Sequence, residues 1–204
     1  MSTPAPFQIP GDLHPDCVQL AFLLGRWEGK GHGDYPTIEP FTFGQEVVFS
    51  HNGKAFLYYT SRTWLLDEEG TAVRPLAMET GFWRPQPDHG LEVVLAHPTG
   101  YAEVWYGRIE GAKIELATDL VARTTTAKDY SGGQRLYGLV QGALMWTFDM
   151  AARGESLQPH LWGKLERAGA VAPAGDGTSG AAAAEAPGPE AVAPEAAPPA
   201  PEGD

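Results

Sequence analysis

The sequence predicts an all-β fold, a ten-stranded antiparallel up-and-down β-barrel that follows a short N-terminal helical turn. Short segments rich in β-branched and aromatic residues recur along the chain, turn signals containing Gly separate them, and no helical segment intervenes. Short connections favour antiparallel pairing of consecutive strands, and a meander of this length closes most economically into a barrel without free edges. A sandwich of two sheets is the alternative.

The predicted elements follow in order along the chain. Residues 1–12 form a Pro-rich, flexible arm, and the apolar residues 17–24 predict a helical turn that Gly25 ends. Strand segments are short and apolar or aromatic, and they include residues 47–49, 56–60, 91–95, 102–106, 113–116, 135–139 and 144–148. Turn signals between them include Asn52-Gly53, Glu69-Gly70, Glu110-Gly111 and Gln141-Gly142. The barrel domain is therefore expected over residues 13–168.

The composition of the chain changes at about residue 169. Residues 169–204 are almost entirely Ala, Pro, Glu and Gly, with no Lys, Arg or aromatic residue. Such a segment cannot bury enough apolar surface to offset its backbone entropy, so we expect a disordered acidic tail. A helix through residues 181–185 is the alternative, which the prolines at 187, 189 and 194 would cut short.

Charge and cysteine content narrow the classes of function. The net charge is −12, and because the tail holds six acids and no base, half of this charge remains on residues 1–168. An acidic balance disfavours nucleic acid and anionic membranes as partners and favours a soluble partner or a small-molecule ligand. Cys17 is the only cysteine, so the chain has no disulfide framework and no C-x-x-C-H motif for covalent haem. Neither a signal-peptide pattern nor a long apolar segment is present, and we expect a cytoplasmic protein.

A glycine-rich motif marks the start of the predicted barrel. Gly25, Trp27, Gly29 and Gly31 are spaced two residues apart, so on a strand they share one face. Positions without side chains around one indole let another backbone or a flat ligand approach closely. A strand bend with a packed tryptophan at the closed end of the barrel is the simpler interpretation, and a ligand contact is the alternative.

This motif opens a series of blocks that together resemble the nitrobindin family of haem-binding β-barrels. The blocks are residues 25–31, 33–38, 41–46, 79–85, 93–100, 126–128, 148–150 and 157–161, within a resemblance that covers about residues 13–167. The resemblance implies a barrel like that of a fatty-acid-binding protein. It also implies one haem b per chain, set near one end of the barrel and bound without a covalent link.

The resemblance further implies which residues contact the haem. His160 falls at the position of the family's proximal iron ligand, and a neutral imidazole nitrogen is a good ligand for iron. Thr37, Met150, Lys128 and His97 are further candidates, with Lys128 placed to pair with a propionate and His97 near the other face of the haem. Each of these four has a structural alternative, as a turn residue, a core methionine or an exposed loop lysine.

The register around His160 presents a conflict. On a regular strand His160 shares a face with Trp162 and Lys164, and a lysine inside a barrel is costly. Either a bulge shifts the register before the regular strand, or His160 lies at the rim, where Lys164 can reach solvent. We favour the rim.

The resemblance implies a haem enzyme that isomerises peroxynitrite to nitrate at ferric haem and that also binds nitric oxide. With His160 as the one axial ligand from the protein, the sixth position of the iron stays open for a small oxidant. The alternatives are a non-catalytic carrier of a fatty acid or other apolar ligand, or a haem carrier or nitric-oxide sensor. Arg62, Arg84 and Arg123 are candidates for a polar clamp in such a carrier. No sequence feature specifies an oligomeric state.

Overall fold

The computed structural model describes residues 8–168; residues 1–7 of the predicted arm and the predicted tail at 169–204 lie outside the described residues. A 3-10 helix at Pro15–Leu23 precedes the strands, as the helical-turn prediction requires. The strands are β1 Gly25–Tyr35, β2 Ile38–Ser50, β3 Leu57–Leu66, β4 Ala72–Pro85, β5 Gly90–His97, β6 Tyr101–Glu110, β7 Lys113–Arg123, β8 Tyr130–Val140, β9 Ala143–Ala152 and β10 Gln158–Arg167. A short 3-10 turn, Pro87–His89, joins β4 to β5.

The ten strands form one closed barrel. Each strand pairs antiparallel with its neighbours in the chain, and β1 pairs with β10 to complete the circle. The prediction of a ten-stranded up-and-down barrel is confirmed, and the sandwich alternative is wrong. At the predicted turn between β8 and β9, both Gln141 and Gly142 have positive φ, 52° and 85°, as a tight two-residue hairpin requires.

The two ends of the barrel differ. Because the strands alternate in direction, the loops after β1, β3, β5, β7 and β9 share one end, which we call the loop end. The N-terminal 3-10 helix covers the opposite end, the helix end, where the thiol of Cys17 contacts the carbonyl oxygen of Lys54 and Gln19 contacts His89. The helix is therefore a cap over one mouth of the barrel.

Trp27 of the glycine-rich motif plugs the helix end. Its side chain is fully buried, and its indole nitrogen donates to the carbonyl oxygen of Leu23 at 2.7 Å. The guanidinium of Arg167 lies over the same ring, 4.1 Å from its centre. The motif tryptophan thus joins the capping helix to both β1 and β10.

The motif glycines permit close packing around β1. A Cβ atom on Gly29 would lie 2.1 Å from the carbonyl oxygen of Lys164, and one on Gly31 would lie 2.3 Å from the ring of Phe43. Neither distance is possible for real atoms, so a side chain at either position would displace its neighbour. The glycines therefore serve the packing of β1 against β10 and of Phe43 against β1.

We expect Gly29→Ala to lower the free energy of unfolding by about 1–3 kcal/mol, because the new methyl group must push the backbone of β10 away. Urea unfolding followed by circular dichroism measures this change. Gly138→Ala in β8 is the matched control, since its Cβ would have no atom nearer than 3.9 Å. Equal stability of the two variants would contradict the packing role.

Candidate functional site

His160 lies at a bulge near the start of β10. Pro159 pairs with Asp149, but Leu161 pairs with the next residue of β9, Phe148, so β10 carries one extra residue at this point. Beyond the bulge Trp162 is 50% exposed, and Gly163 is buried. The bulge is thus the explanation for the conflict in register.

The exposure of Lys164 agrees with a bulge at His160. Its side chain is exposed, and its ammonium pairs with Glu166 on the outer surface at 3.0 Å. The favoured explanation, that His160 and Lys164 share a face at the rim, is wrong, because the extra residue separates their faces. His160 can therefore face the interior although Lys164 faces solvent.

The imidazole of His160 is held on three sides. Its Nδ1 lies 3.0 Å from the carbonyl oxygen of Asp34, so this nitrogen carries the proton and donates it. The ring of Tyr35 meets it edge-on at 5.2 Å between centres, and the ring of Phe148 lies at 5.9 Å. These contacts fix both the tautomer and the direction of the ring.

The second nitrogen of His160, Nε2, is available as a ligand. None of the described residues 8–168 forms a hydrogen bond with it. Burial lowers the pKa of His160 by more than the hydrogen bond to Asp34 raises it, so the neutral ring predominates near neutral pH. A neutral, oriented imidazole with one free nitrogen lone pair is the form that binds a transition metal.

Tyr35 holds this arrangement together. Its buried hydroxyl lies 3.3 Å from the carbonyl oxygen of Met150 and 3.2 Å from that of Ala152, and it accepts from the amide of Ala152 at 3.0 Å. β1 and β9 are not neighbours, because β10 lies between them. The phenol therefore ties β1 to β9 across the bulge that carries His160. Its place could have been read from the sequence, since Tyr35 continues the alternation of the motif glycines.

Further aromatic and apolar side chains lie on the strands next to the bulge, where Gly33 of β1 pairs with Phe41 on one side and with Leu161 on the other. Phe41, Phe43, Met150 and Leu161 belong to the core or pack against it, and the ring centres of Phe41 and Phe43 are 6.0 Å apart. A Cβ atom on Gly33 would lie 2.2 Å from the ring of Phe41, so this glycine leaves room for the ring beside β1. The aromatic rings of Tyr35 and Phe148 beside the imidazole and its single free nitrogen fit the chemistry of a porphyrin with an axial ligand.

The structure brings three further candidates to the loop end with His160. Thr37 is exposed in the turn between β1 and β2, and Met150 is half-buried near the end of β9. Lys128 is exposed in the loop between β7 and β8, and its carbonyl oxygen accepts from the hydroxyl of Tyr101 at 3.1 Å. The contacts of this lysine's backbone hold the loop, and its ammonium group faces solvent.

His97 has a different environment from the other candidates. It is the last residue of β5, and its side chain is 16% exposed. Its Nε2 lies 2.5 Å from a carboxylate oxygen of Glu103, and its Nδ1 lies 3.8 Å from a carboxylate oxygen of Glu79. Its backbone forms the predicted turn by accepting from the amide of Gly100, while its ring faces two buried carboxylates.

These carboxylates belong to a charged cluster inside the barrel. Arg135 donates from both terminal nitrogens to Glu79, at 2.7 and 2.8 Å, and its guanidinium lies 4.9 Å from the ring centre of Phe148. Tyr59 donates to Glu79 at 2.6 Å, and Tyr130 donates to Glu103 at 2.5 Å. The ring of Phe148 thus contacts both the guanidinium of this cluster and the imidazole of His160.

The charges of the cluster shift the pKa values of Glu79 and Arg135. Burial alone would raise the pKa of Glu79, but the charge and hydrogen bonds of Arg135 outweigh it and lower this pKa to about 2. Burial opposes the charge on Arg135, but Glu79 outweighs it and holds the pKa of the guanidinium well above its ordinary value. Both groups therefore stay ionised over the physiological range.

The three arginines that were candidates for a polar clamp do not lie in the interior of the barrel. Arg62 pairs with Glu46, Arg84 with Glu92 at 2.7 Å and Arg123 with Asp129 at 2.7 Å, all on the outer surface or in an exposed loop. Within the described part of the chain, the interior arginine is Arg135, which sequence reasoning missed. Its position in phase with the buried Tyr137 on β8 is the signal that places it inside.

The fold is a closed ten-stranded barrel of the kind that encloses a small ligand, and it carries a neutral histidine at one end. The family described as the THAP4-like, heme-binding beta-barrel domain matches residues 16–167, and the chain belongs to this family. The nitrobindin resemblance read from the sequence is thereby confirmed.

The relatives of this chain carry related names. A "Peroxynitrite isomerase" of Nocardioides sp. is 56% identical over 162 residues, which cover 79% of this chain and 99% of that protein. A "Ferric nitrobindin-like protein" of Cutibacterium acnes is 52% identical, over 79% of this chain and 99% of its own length. The crystal structure of Rv2717c from M. tuberculosis superposes with a TM-score of 0.70 at 39% identity, covering 76% of this chain and 99% of that one.

Neither 3-10 helix in residues 8–168 has the length and apolar character needed to cross a membrane.

Proposed function

We propose that this protein binds one haem b per chain without a covalent link, isomerises peroxynitrite to nitrate in the ferric form and binds nitric oxide in the ferrous form. The observation that carries the proposal is the oriented imidazole of His160, which has one nitrogen tied to Asp34 and the other free. Membership of a haem-binding family and the 56% identity to a protein named peroxynitrite isomerase support it.

The protein's own part in this function is to hold and orient the ligand. Asp34 accepts the proton of Nδ1 and so directs the lone pair of Nε2. Tyr35 and Phe148 contact the ring and restrict its rotation. The bound haem would supply the iron at which the small oxidant reacts.

We assign supporting roles to three of the other candidates. The thioether of Met150 would pack against the porphyrin, and Lys128 would pair with a propionate at the loop end, with Thr37 at the same rim. The fourth, His97, would act differently, because its ring is already engaged by Glu103. In this proposal His97 does not contact the haem. It belongs to the charged cluster, which packs against the same Phe148 ring that contacts His160.

The alternative of an apolar-ligand carrier has less support. A carrier of fatty acids needs a free cation or hydroxyl group deep in the barrel to bind the ligand's carboxylate. Arg135 and Tyr59 occupy that depth, but both donate to Glu79. The carboxylate of a fatty acid would have to displace that of Glu79 from Arg135 and Tyr59. The interior of the barrel therefore favours the haem function.

Titration with ferric haem tests the first part of the proposal. A Soret band that grows to one equivalent per chain is the expected result, and the absence of a saturable band would overturn haem binding. Stopped-flow mixing of the loaded protein with peroxynitrite, followed by nitrate analysis, tests the second part. We expect faster decay and a higher yield of nitrate, with His97→Leu altering the rate only modestly. Haem binding without acceleration would favour haem carriage or nitric-oxide sensing.

We expect Tyr35→Phe to speed the loss of haem about tenfold, because groups that orient a metal ligand usually change metal affinity by about 10- to 100-fold. The ring of the variant still contacts His160, but the ties to Met150 and Ala152 are lost. Transfer of haem to an acceptor protein gives the rate, and Tyr106→Phe on the outer surface is the control. An unchanged rate, with the barrel still folded, would remove Tyr35 from the positioning of the ligand.

A further inference from the structure

Tyr130, the first residue of β8, begins a chain of three hydrogen-bonded side chains. Its ring is buried, and its hydroxyl donates to Oε1 of Glu103 at 2.5 Å. The other carboxylate oxygen of Glu103 lies 2.5 Å from Nε2 of His97. Glu103 is 1% exposed, whereas the side chain of His97, at the end of β5, is 16% exposed. The phenol is therefore connected to the loop end of the barrel by groups that can accept and pass on a proton.

A path of aromatic rings connects Tyr130 with His160. The ring of Phe148 is 6.4 Å from that of Tyr130 and 5.9 Å from the imidazole of His160, measured between ring centres. Electrons pass between aromatic rings at such separations. Tyr130 is therefore within reach of an oxidant that lies beside His160.

The surroundings of a phenol decide whether it can lose an electron. Removal of one electron turns a phenol into a strong acid, so the loss is favourable only where a nearby base takes the proton. Burial and the charge of Glu103 hold the pKa of Tyr130 well above its ordinary value, so the hydroxyl keeps its proton before oxidation. The same carboxylate is in place to receive that proton at the moment the electron leaves.

Tyr35 is nearer to His160, with 5.2 Å between the ring centres, but its hydroxyl contacts no base among residues 8–168. The contacts of this hydroxyl are with backbone groups, the carbonyl oxygens of Met150 and Ala152 and the amide of Ala152. An amide carbonyl is too weak a base to take a proton at neutral pH. Proximity alone therefore does not make Tyr35 the electron donor.

Tyr59 resembles Tyr130 more closely, because it also donates to an interior carboxylate, that of Glu79. Burial raises the pKa of Glu79, but Arg135 outweighs burial and lowers this pKa to about 2, so the carboxylate is a poor base. No arginine or lysine of the described residues pairs with Glu103, whose partner is the imidazole of His97. Of the two phenol–carboxylate pairs, the one at Glu103 is suited to accept a proton.

We propose that Tyr130 is a redox-active tyrosine, which gives one electron to nitrogen dioxide at the His160 site and its proton to Glu103. Nitrogen dioxide is the one-electron oxidant that forms when the O–O bond of peroxynitrite breaks homolytically, so this inference rests on the proposed function. The electron reduces nitrogen dioxide to nitrite, the phenol O–H bond breaks, and its proton forms the O–H bond of a neutral Glu103. A neutral phenoxyl radical remains on Tyr130, and the oxidant leaves as nitrite, which does not nitrate other molecules.

A second molecule of nitrogen dioxide converts this radical into a stable mark. It forms a C–N bond at a ring carbon next to the C–O carbon, that ring carbon loses its proton, and the oxygen gains one, which gives 3-nitrotyrosine. Nitration from bulk solvent would favour exposed rings, such as those of Tyr106, at 52% exposure, and Tyr58, at 37%. Tyr130 is 8% exposed, so its nitration in preference to these two identifies the internal path.

Rapid freezing of the ferric, haem-loaded protein after mixing with peroxynitrite tests the proposal. We expect the electron paramagnetic resonance signal of a tyrosyl radical and, by peptide mass mapping, nitration of Tyr130 before Tyr58 and Tyr106. Tyr130→Phe should lose the radical, whereas Tyr106→Phe, the control on the outer surface, should keep it. Glu103→Gln retains a hydrogen-bond acceptor but no base. In this variant the radical should form at least about 100-fold more slowly, which is the usual contribution of a positioned proton acceptor.

A measurement without haem separates this proposal from the proposed function. Azide radicals generated by pulse radiolysis each take an electron from an exposed indole, such as that of Trp162, which releases its N–H proton to water. The indolyl radical then takes an electron from a tyrosine and a proton from water. We expect its absorption to be replaced by that of a tyrosyl radical, more slowly in D2O, because the phenol proton moves with the electron. Tyr130→Phe should remove most of the tyrosyl signal.

The two measurements fail in different ways. Haem binding and accelerated decay of peroxynitrite without a radical on Tyr130 would overturn the redox role and leave the proposed function intact. Preferential nitration of Tyr58 and Tyr106 would overturn the internal path. If the protein bound no haem, the proposed function would fail, and equal tyrosyl yields from wild type and Tyr130→Phe after radiolysis would overturn the redox role independently. Circular dichroism establishes that the variants are folded, and the nitration site and the isotope effect are measured on the wild type.

Discussion

His160→Ala is expected to abolish stoichiometric haem binding while the barrel remains folded. The substitution removes the imidazole at the bulge of β10, whose second nitrogen has no partner among residues 8–168. The strands keep their pairing, because the imidazole is half-buried and its hydrogen bond is to a backbone carbonyl of β1. A Soret titration and a far-ultraviolet circular dichroism spectrum measure the two effects.

Two controls sharpen this prediction. His32→Ala removes a histidine from the outer wall, where its ring stacks on Trp162 at 4.6 Å, and should leave haem binding unchanged. Added imidazole should restore a Soret band to His160→Ala, because the small ligand can fill the space left by the side chain. Unchanged haem affinity in His160→Ala would remove this residue as the ligand.

Arg135→Gln is expected to lower the free energy of unfolding at neutral pH by about 3–5 kcal/mol. The substitution leaves Glu79 buried without its bidentate partner, and breaking a buried ion pair from one side has a cost of this size. Arg62→Gln is the control, since its partner Glu46 keeps Arg26 and the pair is on the outer surface. Chemical unfolding of the three proteins gives the comparison.

The pH dependence follows from the pKa of Glu79. Its pKa of about 2 in the folded protein is below the ordinary value of 4.5, so its ion pair stabilises the wild type fully above about pH 4.5. This contribution, about 3 kcal/mol for a shift of this size, is lost as the pH falls through the folded value. The difference between wild type and Arg135→Gln should therefore shrink from pH 5 toward pH 2. A difference that does not change over this range would contradict the role of the Glu79–Arg135 pair.

The sequence predicted most of the fold because its information is local. Alternation of apolar residues and short turns, such as the one at Gln141 and Gly142, determine strands and hairpins without knowledge of distant contacts. β4 was not among the predicted strand segments; Pro75 interrupts its pattern and Pro85 is its last residue. In the barrel Pro75 lies at a shift of register between β3 and β4, where a missing amide donor is tolerated.

The site was only partly predictable, because its decisive contacts connect strands that are far apart in sequence. His160 could be proposed as the ligand through the family resemblance, but the bulge that turns it inward depends on the pairing of β9 with β10. The Glu79–Arg135 pair joins β4 to β8 across the interior, and no local pattern specifies that contact. The tie from Tyr35 to Ala152 likewise spans 117 residues.

The pairing of β1 with β10 has a consequence for folding kinetics. It joins the first strand to the last, so it has the largest loop-closure entropy of any pairing in the barrel and should form late. The carbonyl of Asp34 and the imidazole of His160, 126 residues apart, lie on these two strands. The proposed haem site thus does not exist in an open meander of strands. Capture of haem during refolding should therefore report the final closure of the barrel and lag behind the formation of β structure.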